Sequence, residues 1–451
     1  VGLTHSIAEE ISKTSFNSLP ENVVDKVKDL VLDLIGVTLA GVKVAQLPVR
    51  VLTDIVCRTG GYPEAALIGR KRKVPCAQAA MVNSLAAAIL ELGDGDNVII
   101  AHPGQVVIPA ALALAEKQEA DGKDLIAAIV AGYETMFTIG SIVIPAAMHE
   151  RGFAPSGILC SFGASAASCK LLDLDVEQTV NAIGLAASAM GFREPWVVTG
   201  TMDKDIMICE ATRRGLWGAM LAGEGVTGAC SILEGSEGFF RAMLGKIPNE
   251  QTTGWTDGSY SILNTYLKKY PSCRHTHSTI DATLEVARTN PFSLSDIASL
   301  TITVDSLSAK ISIGEPDSDT GVRFSHQFAA AIALIKGKAT LAEFTADVAR
   351  EPEVQTIIKK ASVKIDPEMD KGWPEKWSSH VEVKLNNGKR FNARVDYPRG
   401  DKKNPMEKEE VMEKFKSLSS GILDPVAQDQ VTKAVQHLEE VDNIRYLMEL
   451  V

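Results

Sequence analysis

Aromatic residues make up only 6% of the 451 positions. That leaves little of the bulky, flat material that fills a large β sandwich, and the apolar fraction is carried by Ala, Leu, Ile and Val in helical spacing. Cysteine is sparse and unpatterned: the seven residues from Cys57 to Cys273 are odd in number, scattered and free of any C-x-x-C pair. Neither a disulfide framework nor a zinc knuckle is expected, and reduced thiols in a cytoplasmic setting are. Positive charge is short as well, with 46 Lys and Arg against 57 Asp and Glu for a net charge of −11. No basic stripe with interleaved aromatics offsets this, so nucleic acid is excluded as a partner. A small anion would have to be drawn into a local basic pocket against the global field. The segment Val1 to Lys13 lacks the charged-then-apolar layout of a signal peptide, and no apolar run is read as reaching the roughly 20 residues that span a bilayer. No membrane partner is expected.

What the chain does have is length enough for two domains, since single cores stop growing near about 250–300 residues. From Ser6 to Leu263 nearly every segment reads as helix. Asp121 precedes the run Leu125 to Glu134, and Asp175 with Gln178 forms a capping box ahead of Val180 to Leu185. Small residues such as those of Phe162 to Ser168 let helix backbones come close. After Lys268 the period changes: Leu300 to Val304 alternates, Val363 to Ile365 is a short strand, and Val381 to Phe391 reads as a hairpin turning at Asn387-Gly388. The expected architecture is mainly α. It comprises a large all-helical domain over 1–265 and 405–451, and a smaller α+β lid domain over 266–404.

The segment Glu91 to Gly104 packs carboxylates and a histidine into a Gly/Pro-broken turn between apolar helical runs. A loop clamped on both sides can hold Glu91, Asp94 and His102 in fixed positions for general acid/base chemistry. The plainer reading is that Asp94 and Asp96 only punctuate a turn. Gly223 to Gly228 matches G-x-G-x-x-G but follows a helix where a dinucleotide fingerprint needs a strand, so it reads as a helix end. His275 and His277 have no third ligand nearby, and Asp94 with Asp96 makes a poor magnesium site; no metal is expected.

Eight segments in order resemble the MmgE/PrpD family over nearly the whole chain. They are Leu32 to Gly41, Glu91 to Pro109, Gly132 to Glu134, Arg151 to Gly157, Gly200 to Lys204, Gly225 to Gly235, Lys268 to His277 and Val395 to Asp401. The resemblance implies a homodimer and cofactor-free carbon-acid chemistry on a small anionic di- or tricarboxylate. The leading reading is a lyase that dehydrates or decarboxylates a citrate- or aconitate-like acid. An epimerase acting beside a carboxylate is the alternative, and a non-catalytic protein on the same scaffold is the third reading.

Carried over by position, the resemblance makes Asp94, His102, Lys204 and Lys268 the catalytic candidates. Glu91, His149, Arg274, His275 and His277 become substrate-binding candidates. Two lysines can meet two carboxylates while an imidazole exchanges a proton. Because Lys268 opens the smaller domain and the other three lie on the larger, a site at a domain cleft that closes over ligand is expected. The chain also departs from the family pattern. Ala154 and Met207 stand where histidines are frequent, Phe328 at a tyrosine position and Thr138 at an arginine position. His149 or His326 is the expected substitute for the missing proton donors.

Overall fold

The computed structural model describes residues 2–144, 146–188, 202–248, 255 and 257–451, without the side chain of His149. It divides into two compact units, Val1–Thr265 with Glu407–Val451, and Tyr266–Met406. The first is helical and the second mixed, in keeping with a mainly α chain.

The helical unit is organised by α1 (Glu21–Val44), α2 (Cys76–Ala88), α3 (Gly104–Gln118), α4 (Gly122–Val143), α5 (Pro155–Leu171) and α6 (Asp203–Gly223). Helices α2 and α5 are buried on nearly every side, which is possible because their faces carry Ala, Ser and Gly, so that neighbouring backbones approach closely. At Gly215 of α6 an added Cβ would stand 2.3 Å from the Ser161 carbonyl oxygen of α5. Asp121 caps α4 by accepting from Asp124 N at 2.8 Å, and the Asp175 and Gln178 capping box opens the helix Val176–Ala186. These local stops and starts are those the residue pattern calls for.

One expectation is corrected here. Gly122–Val143 is long and apolar enough to cross a membrane, although its interspersed Lys123, Asp124 and Glu134 hid this from a count of unbroken apolar residues. Its most apolar window is 83% buried among the other helices, which is how a central core helix passes the same test. The glycine-rich Gly223 to Gly228 is the end of α6, with Gly225 at φ +86°, a helix stop as expected.

The mixed unit is built on a four-stranded sheet of β1 (Ile297–Val304), β2 (Ala361–Ile365), β3 (Ser379–Leu385) and β4 (Arg390–Val395), in the order β2-β1-β3-β4. Strands β1 and β2 run parallel, and the other pairs are antiparallel. The parallel pair requires a long crossover, which contains α8 (Ser306–Lys310), α9 (His326–Lys336) and α10 (Pro352–Lys360); α7 (His277–Thr289) precedes the sheet. Alternation in β3 sends Val381, Val383 and Leu385 into the core beside Ile280, Ile302, Phe328 and Ile332. The β3–β4 turn closes with Leu385 N donating to Lys389 O at 2.8 Å and Gly388 at φ +84°.

Candidate active site

The segment joining α2 to α3 is held in a conformation that an isolated peptide would avoid. Glu91 and Ile100 sit at φ +52° and +49°, each costing roughly 1–2 kcal/mol for a residue with a side chain. Local hydrogen bonds and burial offset that cost. Asp96 Oδ1 accepts from Val98 N at 2.7 Å and Ile99 N at 2.9 Å, and Asp96 N donates to Ala101 O at 3.1 Å. From the C-terminal helix Lys408–Ser419, Lys414 donates to Leu92 O at 2.8 Å and pairs with the buried Asp33 of α1 at 2.6 Å.

Within this segment Asp94 is 3% exposed and both its oxygens are engaged. Gly104 N donates to them at 3.0 and 3.1 Å, and Tyr133 Oη donates to Oδ2 at 2.7 Å. A Cβ on residue 104 would meet Asp94 Oδ1 at 2.7 Å, so only glycine lets the backbone reach the carboxylate. Burial pushes the Asp94 carboxyl up to about 6; the Tyr133 hydrogen bond opposes this, Asp33 adds to it, and Gly104 and Lys26 oppose it. The Tyr133 phenol is driven upward by the same burial and by Asp94.

His102 is held by the main chain of Asp94, with Nδ1 2.6 Å from the carbonyl oxygen. A carbonyl can only accept, so Nδ1 carries the proton and, in the neutral ring, the lone pair lies on Nε2. The carboxylate expected to do acid/base work thus positions, through its backbone, the imidazole that can do it. Lys204, in the first turn of α6, is ion-paired with Glu91, their side chains being 12% and 8% exposed. Glu91, Asp94, His102 and Lys204 therefore share one unit, tied together through the 91–104 segment.

Four of the remaining candidates, Lys268, Arg274, His275 and His277, lie in the mixed unit. Lys268 is 1% exposed. Arg274 pairs with Asp401 at 2.7 Å and stacks its guanidinium 4.2 Å from the Tyr266 ring centre. His275 Nδ1 lies 2.6 Å from Ser308 Oγ, with the ring 4.3 Å from that of Trp377. His277 is fully enclosed at the start of α7, its Nε2 3.3 Å from Ser272 O, a core histidine by its surroundings. His326, the expected substitute donor, is also enclosed. Its Nδ1 is 2.8 Å from Thr279 Oγ1, and burial, then His275, hold its pKa down to about 4, so the ring is neutral at pH 7. The side chain of His149, on the helix Ala146–Arg151, lies outside the described residues, as do Gly200 and Thr201. Ala154 is the N-cap of α5, and Phe328 packs edge-on against Phe344.

Sequence reasoning assigned no role to Lys26, Asp33, Tyr133 or Lys414. Lys26 Nζ donates to Thr265 O at 2.6 Å, and desolvation lowers its pKa against the pull of Asp29, Asp94 and Asp33. The available signal was the spacing of Lys26, Asp29 and Asp33, three and four residues apart and so on one face of the helix. A cavity of about 400 Å³ beside the segment is lined by Asp96, Glu134 and Asp257 with no basic side chain among the described residues, which does not suit a polyanion. Burial raises the Glu134 carboxyl there to about 7, against hydrogen bonds from Ile262 N and Ser261 N. Among the described residues no group of three or more His, Cys, Asp or Glu is arranged to hold a metal ion.

Comparison with known proteins adds a second line. The model of the MmgE/PrpD N-terminal domain matches residues 5–252, and that of the MmgE/PrpD C-terminal domain matches residues 270–440. The cis-aconitate decarboxylase-like protein oryM of Aspergillus oryzae is 26% identical over 474 residues, covering 100% of this chain and 97% of that protein. Cis-aconitate decarboxylase of Aspergillus terreus is 25% identical over 473 residues, with 100% and 96% covered. The Mus musculus cis-aconitate decarboxylase is 24% identical over 468 residues, with 99% and 93% covered.

Proposed function

Because the chain belongs to the MmgE/PrpD family through both of its domains, we propose that it is a lyase that dehydrates or decarboxylates a small citrate- or aconitate-like acid through a carbanion next to a carboxylate. Full-length similarity to proteins named cis-aconitate decarboxylase supports the enzyme class and the carboxylate substrate. The observation that carries the chemistry is the bond from His102 Nδ1 to the Asp94 carbonyl, which leaves Nε2 as the proton-exchanging atom.

In a dehydration Nε2 takes the proton from the carbon beside a carboxylate, and the electron pair of that C–H bond passes to the carbanion. In a decarboxylation the bond to the departing carboxyl breaks instead, the pair stays on carbon, and Nε2 of the protonated ring returns a proton to it. Negative charge develops on the retained carboxylate in both cases, and a positioned ammonium stabilises it. Lys204 takes that role, with Glu91 holding its Nζ in place until a substrate carboxylate competes for it. Lys268 is the second proposed cation, and Asp94 a positioning residue. The test is incubation with cis-aconitate and citrate in deuterated water, following released carbon dioxide, lost water and deuterium at carbon. Turnover that falls with His102→Gln supports the reading. Exchange at carbon with neither product would transfer the assignment to an epimerase, and no reaction of any kind would refute it.

A further inference from the structure

Within the helical unit, the helix Leu47–Thr59 carries two different rows on its outward side. Its inner face is apolar and buried at Pro48, Val49 and Val56. Residues four apart stand above one another on a helix, so Leu47, Val51 and Ile55 form one aliphatic row, each residue between 43% and 50% exposed. Just past the helix end, after Gly60 and Gly61 at φ +73° and +123°, Tyr62 is 79% exposed. Three aligned aliphatic side chains and a phenol are a patch, and exposed apolar patches mark contact surfaces. The row beside it is charged. Arg50, Asp54 and Arg58 repeat the same four-residue spacing, and more cations are brought alongside by the two-stranded ribbon in which Ala65–Ala66 pairs with Lys73–Val74. Leu67 N donates to Arg72 O at 2.9 Å and Arg70 N to Leu67 O at 3.0 Å, which leaves Arg70 and Lys71 at the ribbon tip. Arg72 Nη2 donates to Cys57 O at 2.8 Å and pins that tip to the last turn of the helix. Arg50, Arg58, Arg70, Lys71 and Arg72 are all exposed, and among the described residues none of the five forms an ion pair. Lys73, by contrast, is paired with the buried Glu116 at 2.8 Å. Five unneutralised cations, opposed along the helix by Asp54, thus gather on one surface of a chain whose net charge is −11.

We propose that this surface docks the protein onto an anionic lipid bilayer, with Leu47, Val51 and Ile55 entering the boundary between headgroups and acyl chains, Tyr62 at headgroup level and the five cations on lipid anions. The occupant follows from the pairing of the two rows. Long Arg and Lys side chains reach outward to charged headgroups while an aliphatic row next to them goes deeper, a division that a bilayer boundary offers along its whole extent. A second copy of the chain docked about a two-fold axis would set this positive surface against itself. A nucleic-acid duplex would match the charge and leave the aliphatic row without a use. A helix lying in the interface needs neither a signal peptide nor a spanning segment, so this contact is separate from the sequence expectation of no membrane partner. It holds whether or not the chain is a lyase.

The experiment is flotation of the full chain, at low ionic strength, with vesicles of phosphatidylcholine alone and of phosphatidylcholine with about 30% phosphatidylserine. The chain should float with the anionic vesicles and stay behind with the neutral ones, and high salt should release it because the charge contacts are screened. Arg70→Ser combined with Lys71→Ser should weaken vesicle affinity roughly 10–30-fold, about fivefold for each cation removed. Val51→Ser combined with Ile55→Ser should weaken it about tenfold or more through lost apolar burial. Since all four side chains are exposed, circular-dichroism melting midpoints should stay near that of the wild type in both variants. Equal flotation with the two kinds of vesicle, no flotation with either, or wild-type affinity in either double variant would overturn the proposal. Binding to soluble polyglutamate without binding to anionic vesicles would also overturn it, and would assign the surface to an acidic protein segment.

Discussion

Replacing Asp94 by Asn should stabilise the protein at neutral pH, although it removes a charge from the centre of the candidate site. The folded-state carboxyl titrates near 6, raised from 3.8 chiefly by burial. A raised acid favours folding only while protonated: its contribution is full below pH 3.8 and is lost as pH climbs through 6. The displacement of about two units corresponds to about 3 kcal/mol at 1.36 kcal/mol per unit. With those two values, about 1 kcal/mol has gone by pH 4.5 and about 3 kcal/mol by pH 7.5. An amide cannot ionise and escapes the loss. Its Oδ1 can still accept from Gly104 N, while the Tyr133 hydroxyl must turn from donating to accepting, a rearrangement with a net cost of about 1 kcal/mol. The Asp94→Asn variant should therefore gain about 2 kcal/mol relative to wild type between pH 4.5 and 7.5, read from urea unfolding of both proteins by circular dichroism at each pH. Since His102 is held by the carbonyl of residue 94 and not by its carboxylate, kcat should stay within about tenfold. A variant that is less stable at pH 7.5 than at pH 4.5, relative to wild type, would refute the account of Asp94 as a buried group that resists ionisation.

Three further changes separate the other roles. His102→Gln should lower kcat by about 10²–10⁴-fold with KM nearly unchanged in steady-state assays, as loss of a proton carrier does. Lys204→Met should lower kcat/KM by roughly 10–100-fold, with a fall in kcat, from the loss of a charge-assisted contact worth about 1.5–3 kcal/mol that strengthens as charge develops. It should also lower the melting midpoint by leaving the buried Glu91 without Lys204, and adding Glu91→Gln should restore the midpoint but not kcat/KM. Asp401→Asn should cost about 3–5 kcal/mol in denaturant unfolding, because it strands the buried Arg274 guanidinium; a loss below about 1 kcal/mol would show that stacking on Tyr266 suffices to hold it.

Much of the fold is legible because its signals are local. Asp121 and Asp175 announce helices through side chains that reach only three residues ahead, and the alternation of Leu300 to Val304 and the Asn387-Gly388 turn mark a strand and a hairpin in the same short-range way. The site is legible only as a set of residue types. Glu91, Asp94 and His102 can be picked from their loop, yet the groups that hold the loop come from far along the chain: Tyr133 is 39 residues from Asp94, Lys204 is 113 from Glu91, and Lys414 is 322 from Leu92. Spacing cannot say that Asp94 meets His102 through a main-chain oxygen while Tyr133 and Gly104 occupy its carboxylate. His275 and His277 show the same limit more sharply. Two residues apart, they have different surroundings, one backed by Ser308 and Asp305 and the other packed edge-on against Tyr270. Composition nominates both, and only the structure shows that the first meets a serine hydroxyl and the second a main-chain carbonyl.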